Sequence, residues 1–119
     1  MSPASKTLYY FGFYLLITGI TLTVVPNLFL SMVQIPPTTE VWIRVLGAVV
    51  FGIGLYYVFM ASANNVLFLT LTIYVRFSVL VWFTVFVVVG WAPAQLIIFG
   101  LIDAAGGGWT YFALKNQNN

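Results

Sequence analysis

Three charged side chains, Arg44, Arg76 and Asp103, lie inside stretches that are otherwise apolar and long enough to cross a membrane. An ionised group at the bilayer centre costs roughly 2.5–3.5 kcal/mol on insertion scales, so it rarely faces lipid and marks a functional site by default. A guanidinium and a carboxylate at one depth have three chemical uses. They can form a fixed ion pair, relay protons or ions, or close one end of a ligand cavity. Arg44, Arg76 and Asp103 are therefore the candidate intramembrane polar centre. No catalytic residue is assigned, because no nucleophile or second base accompanies Asp103. The chain has no Cys and no His, which removes thiolate chemistry, the commonest metal ligand and the usual general base near neutral pH. No metal site and no cofactor is expected, and the chain does not read as an enzyme.

The elements that must position these charges follow from composition. Of the 119 residues, 62% are hydrophobic and 5% are charged, against about 25% charged in a soluble domain. The mean hydropathy is +1.06. A net charge of +2 spread over four basic residues makes no phosphate-binding patch, so nucleic acid is rejected as a partner. About 20 apolar residues cross the hydrocarbon core as a helix. Four stretches qualify: 8–25, 41–61, 66–89 and 94–114. The first, about 18 residues long, exceeds a signal h-region of roughly 7–15 and reads as a retained membrane helix. The expectation is an all-α, polytopic membrane protein: one antiparallel four-helix transmembrane bundle spanning 1–119.

Breaks in the pattern set the connections. Pro36-Pro37 cannot continue a helix, Thr38 is placed to cap the second span with Glu40 on its dipole, Asn64-Asn65 make a tight link, and Gly90 and Pro93 separate the last two spans. Residues 26–37 either lie along the interface as an amphipathic segment or extend the first helix past a kink at Pro26. Lys6 and Lys115 flank the bundle on one side, and lysine excess marks the cytoplasmic face, so both termini are placed in the cytoplasm, in a bacterial inner (plasma) membrane. Tyr9, Tyr10, Trp42, Trp91 and Tyr111 stand near span ends, as interfacial aromatics do.

Depth follows from the rise of about 1.5 Å per residue. Counted from the span ends on the side of the termini, Arg76 lies roughly 15 Å deep and Asp103 roughly 16 Å. Neighbouring antiparallel helices then predict a buried Arg76–Asp103 pair. Arg44 pairs with Glu40 four residues before it or reaches inward to Asp103. On the fourth span Asp103 shares its stripe with Gly100, Gly106, Gly107, Thr110 and Leu114; on the third, Arg76 shares its stripe with Leu69, Thr72, Ile73 and Leu80. Gly47 and Gly54 on the second span, and Gly12 and Gly19 on the first, repeat at seven residues. Small residues let membrane helices approach closely, so Gly47, Gly54, Gly100, Gly106 and Gly107 are the candidate packing positions. Gly106-Gly107-Gly108 also has the composition for a kink or local unwinding. A further stripe, Tyr74, Ser78 and Trp82, faces away from Arg76 and reads as packing or an oligomer contact.

The stretches Trp42-Ile43-Arg44-Val45-Leu46-Gly47, Gly54-Leu55-Tyr56-Tyr57, Arg76-Phe77 and Phe99-Gly100-Leu101-Ile102-Asp103 resemble, in order, small bacterial four-helix membrane proteins of the BphX-like type, and more distantly DoxX-like proteins. The resemblance implies a four-span bundle and no established activity. Two functions compete. One is a non-catalytic bundle that binds an apolar or amphiphilic small molecule, or accompanies a larger membrane complex. The other is a small homodimeric transporter or channel using an Arg/Asp relay. The latter needs a polar route, for which Thr18, Thr21, Thr72, Thr84 and Thr110 are the available hydroxyls.

Overall fold

The computed structural model describes residues 1–117, and these are all-α. Five helices follow in order: α1 (Pro3–Val24), α2 (Pro26–Met32), α3 (Trp42–Ala61), α4 (Val66–Val88) and α5 (Leu96–Gln117). Among the described residues α1, α3, α4 and α5 are long and apolar enough to cross a membrane. Their outward surfaces carry side chains that water does not tolerate in such density: Val49, Tyr56 and Phe59 on α3, and Leu67, Leu71 and Val81 on α4, are all exposed. Exposed apolar surface of that extent belongs against lipid, and the chain is an integral membrane protein.

Each helix end has a local chemical cause. α1 begins at Pro3, earlier than hydrophobicity alone places it. Ser2 Oγ accepts from the Ser5 amide at 3.2 Å, and proline suits the first helical position because its missing N–H is not needed there. α1 stops where Val25 leaves helical geometry at φ −131° and Pro26 cannot donate to a carbonyl four residues back. The connection after it does not prolong the first helix: Pro26–Met32 form the separate seven-residue helix α2. That helix closes with amides of Gln34 and Ile35 on the carbonyls of Ser31 and Leu30, and Gln34 takes the left-handed φ of 59° that this closure requires.

Thr38 does not cap the second span. Its hydroxyl accepts from the Glu40 amide at 3.2 Å within the loop, and its own amide donates to Asn27 Oδ1 at 2.9 Å; α3 begins four residues later, at Trp42. The two asparagines of the next link divide the work. Asn64 adopts φ 49°, and Asn65 caps α4 by accepting from the Phe68 amide at 3.0 Å. Gly90, at φ +85°, ends α4: its amide bonds Val87 O and that of Trp91 bonds Phe86 O. α5 starts at Leu96 rather than Ala94, because Pro93, Ala94 and Gln95 form a tighter turn whose carbonyls accept from residues three ahead.

The chain divides into two compact units, Tyr9–Phe59 and Met1–Leu8 together with the chain from Met60 onward. In the first, the glycine unit, α1 and α3 run antiparallel with bare backbone at the seam. A Cβ added to Gly19 would lie 2.5 Å from Phe51 N and 2.7 Å from Gly47 O, and one added to Gly54 would lie 3.0 Å from Gly12 O. Gly12 therefore faces Gly54, and Gly19 faces Gly47. In the second, the arginine unit, α4 packs on α5, again antiparallel: a Cβ added to Gly100 would lie 3.0 Å from Leu80 Cα, and one added to Gly107 would lie 3.4 Å from Ile73 O and Arg76 Cβ. The segment 1–8 joins this unit through the Ser2 amide on Asn64 Oδ1 (2.8 Å) and the Ala4 amide on Gln117 Oε1 (3.0 Å). These bonds gather the start of α1, the start of α4 and the end of α5 at one end of the unit.

The glycine seam yields a sign reversal. In an open helix Gly→Ala is stabilising by roughly 1 kcal/mol. Gly19→Ala should instead lower stability by about 1–3 kcal/mol, because the new methyl meets backbone that cannot yield. Gly52→Ala, where nothing lies within 4 Å, should be neutral or stabilising. Unfolding of both variants in mixed detergent micelles reads the contrast.

Candidate functional site

Arg76 is the largest fully buried side chain of the described chain, at 1% exposure. Its face of α4 was legible from periodicity: Leu69, Thr72, Ile73 and Arg76 are the buried positions of that helix. A permanently charged guanidinium is tolerated away from water only when its donors meet acceptors. Thr72, one turn earlier, supplies two. Arg76 Nε donates to Thr72 O at 3.1 Å and Nη2 to Thr72 Oγ1 at 3.0 Å. The same Nη2 crosses to α5 and donates to Thr110 Oγ1 at 2.9 Å. Gly107, three residues before Thr110, lies beside the Arg76 stem: a Cβ added there would be 3.4 Å from Arg76 Cβ.

Thr110 in turn is tied to α1. Its Oγ1 lies 2.6 Å from Thr7 Oγ1 and 3.2 Å from Gly106 O, while Thr7 Oγ1 lies 2.6 Å from Ala4 O. Each hydroxyl has one proton, and the 2.6 Å contact between them needs one of the two. Either Thr7 donates to Thr110, which then donates to Gly106 O, or Thr110 donates to Thr7, which then donates to Ala4 O. Both arrangements leave Thr110 able to accept from Arg76. The result is a buried chain of hydroxyls and one guanidinium linking three helices. Thr7, Thr72 and Thr110 are all at or below 5% exposure.

Asp103 stands on the same face of α5, seven residues and two turns from Thr110, at a half-buried position. The acceptors described for the guanidinium at Nε and Nη2 are threonine oxygens, the Thr72 carbonyl and the Thr72 and Thr110 hydroxyls. Sequence spacing pointed to Asp103 as the partner of Arg76 and did not single out these threonines. Gly100, Gly106 and Gly107 are buried on this face with Thr110 and Leu114. The triple glycine does not unwind α5, which stays helical from Leu96 to Gln117.

Arg44 belongs to the glycine unit and has a different task. Its Nη1 donates to Thr23 O and, at 3.2 Å, to Val24 O. These are the last carbonyls of α1, orphaned where the helix breaks before Pro26. A cation at a helix C-terminus also opposes the negative end of the dipole. Glu40 is not among the acceptors of these bonds.

On the outer side of α4 and α5 the arginine unit carries a groove of about 680 Å³. Thr70, Tyr74 and Phe77 form one wall, and Gly108, Tyr111 and Lys115 the other. Tyr74, read from sequence as packing or an oligomer contact, is 69% exposed and lines this groove. Sequence periodicity missed the groove. Its signal was the third glycine, Gly108, which lines the groove with space around it: the nearest atom to an added Cβ is Phe77 Cζ at 4.0 Å.

Two variants separate these roles. Arg44→Met should cost about 1–2 kcal/mol, because two carbonyls lose their donor, whereas Glu40→Gln should cost under about 0.5 kcal/mol; reversible unfolding in detergent compares them. Thr110→Val, near-isosteric, should cost about 1–3 kcal/mol, more than Asp103→Asn. On an Arg76→Met background its cost should shrink, since the donor it served is gone. Comparison with family models, with curated proteins and with solved structures gives no match to this chain.

Proposed function

We propose that this protein is a non-catalytic membrane bundle that holds an amphiphilic molecule in the groove between α4 and α5. The single observation that carries the reading is the shape and lining of that groove. Its volume of about 680 Å³ falls in the range of small-molecule sites, roughly 300–1,000 Å³. Its walls combine the aromatic rings of Tyr74, Phe77 and Tyr111 with hydroxyls and one cation, the mixed lining that orients an amphiphile rather than a purely apolar molecule. The polar cluster behind it supports a structural part for Arg76. Every hydrogen bond described for that guanidinium draws α4 to itself or to α5, and thereby sets the spacing of the two groove walls.

A small transporter or channel working through an Arg/Asp relay is supported less well. Beyond the hydroxyl cluster the buried side chains of the arginine unit are mainly apolar, Leu8, Ala61, Leu69, Ile73 and Leu114 among them, with Ser5 a further buried hydroxyl. The proposed setting is a bacterial inner membrane with both termini cytoplasmic, in line with Lys6 and Lys115 and the positive-inside rule, and with membrane partners that include a second copy or a larger complex. The test is native mass spectrometry of the protein extracted in mild detergent. A bound amphiphile at defined stoichiometry is expected, and Gly108→Leu, which fills the groove beside Phe77, should remove it. Retention of the same molecule by Gly108→Leu would refute the groove as the site.

A further inference from the structure

The groove has a direction, and its direction names a class of occupant. It follows Thr70 to Phe77 on α4 and, antiparallel, Lys115 to Gly108 on α5. Seven residues on each helix make it about 10 Å long. One end is polar: Thr70 and Lys115 lie there, beside the bonds that gather Ser2, Asn64 and Gln117 at the same end of the arginine unit. The other end is apolar and leads toward the middle of the membrane, between the Phe77 ring and the bare backbone of Gly108. Tyr74 and Tyr111 stand between, with ring faces for hydrocarbon and hydroxyls for an interface. Polarity thus falls along the groove in the same sense as it falls across a lipid leaflet, from headgroup to chain.

We propose that the occupant is an anionic diacyl phospholipid, its phosphate against Lys115 and Thr70 and one acyl chain laid along Gly108 and Phe77. This rests on the reading of the groove as an amphiphile site and adds the charge of the headgroup. The reason is complementarity. Lys115 is the one charged side chain lining the groove, so an anionic headgroup is favoured over a neutral or zwitterionic one. The lysine also sits in the last turn of α5, where it opposes the negative end of the helix dipole and is held at the depth of lipid phosphates. Gly108 is what makes the site a lipid seat rather than a helix surface, since any larger side chain there fills the space that a methylene chain needs.

The experiment uses the full-length protein in nanodiscs or mild detergent, titrated with phosphatidylglycerol and with phosphatidylcholine of identical acyl chains, bound lipid being counted by native mass spectrometry. The expected result is about a fivefold preference for phosphatidylglycerol, the size of a single cation near an anionic headgroup. Lys115→Gln should abolish the preference by weakening phosphatidylglycerol binding more than phosphatidylcholine binding, and Lys115→Glu should reverse it. Gly108→Leu should reduce binding of both lipids. Equal binding of the two lipids by the wild-type protein, or a preference that survives Lys115→Gln, overturns the anionic assignment while the amphiphile groove stands. Undiminished binding to Gly108→Leu overturns both.

Discussion

A guanidinium that never loses its charge, buried at 1% exposure inside a membrane protein, constrains everything near it. Acyl tails offer no acceptor, so a buried guanidinium calls on oxygen atoms of the chain. In the arginine unit Thr72 and Thr110 accept from its Nε and Nη2, and Thr110 is bonded onward to Thr7. These bonds tie together three elements: the start of α1, the middle of α4 and the second half of α5. The glycines of α5 stand at the same contact: a Cβ added to Gly107 would lie 3.4 Å from Arg76 Cβ, and one added to Gly100 would lie 3.0 Å from Leu80 Cα.

The interior of the arginine unit is more polar than its surface, the reverse of a water-soluble domain. Between apolar helices in lipid there is no hydrophobic driving force, because acyl tails are as apolar as leucine. Close packing and hydrogen bonds remain. The glycine unit uses the first device, with Gly12 and Gly19 apposed to Gly54 and Gly47; the arginine unit uses both. Arg44 shows a third use of a cation in the same solvent, the satisfaction of helix-end carbonyls that a proline has left without donors.

The groove on the outer face follows from the same geometry. α4 and α5 are held together at Gly100 and Gly107, and the side chains that flank this contact, Tyr74 and Phe77 on one helix and Tyr111 on the other, diverge around Gly108. A helix pair whose inner faces are drawn tight by small residues and a buried cation leaves a trough where its outer aromatic residues part. Its polarity is set by helix direction: the C-terminal turn of α5 brings Lys115 to the end where α4 presents Thr70.

Length, hydropathy and punctuation alone determined four membrane-length helices, the faces on which Arg76 and Asp103 stand, and the seven-residue glycine seams, because helical period and the positions of proline, glycine and asparagine are local properties. Boundaries were legible less well. Hydrophobicity started the first helix at Leu8, but Ser2 and Pro3 start it earlier, and this hid Thr7 from the polar centre. Which acceptor meets Arg76 was decided only in three dimensions. Opposite charges at equal depth suggested Asp103, yet Thr110 is 34 residues away and Thr7 farther still, and no spacing rule links hydroxyls across separate helices. The rotation of each helix about its own axis selects the atoms that come within 3 Å, and that rotation is a consequence of packing.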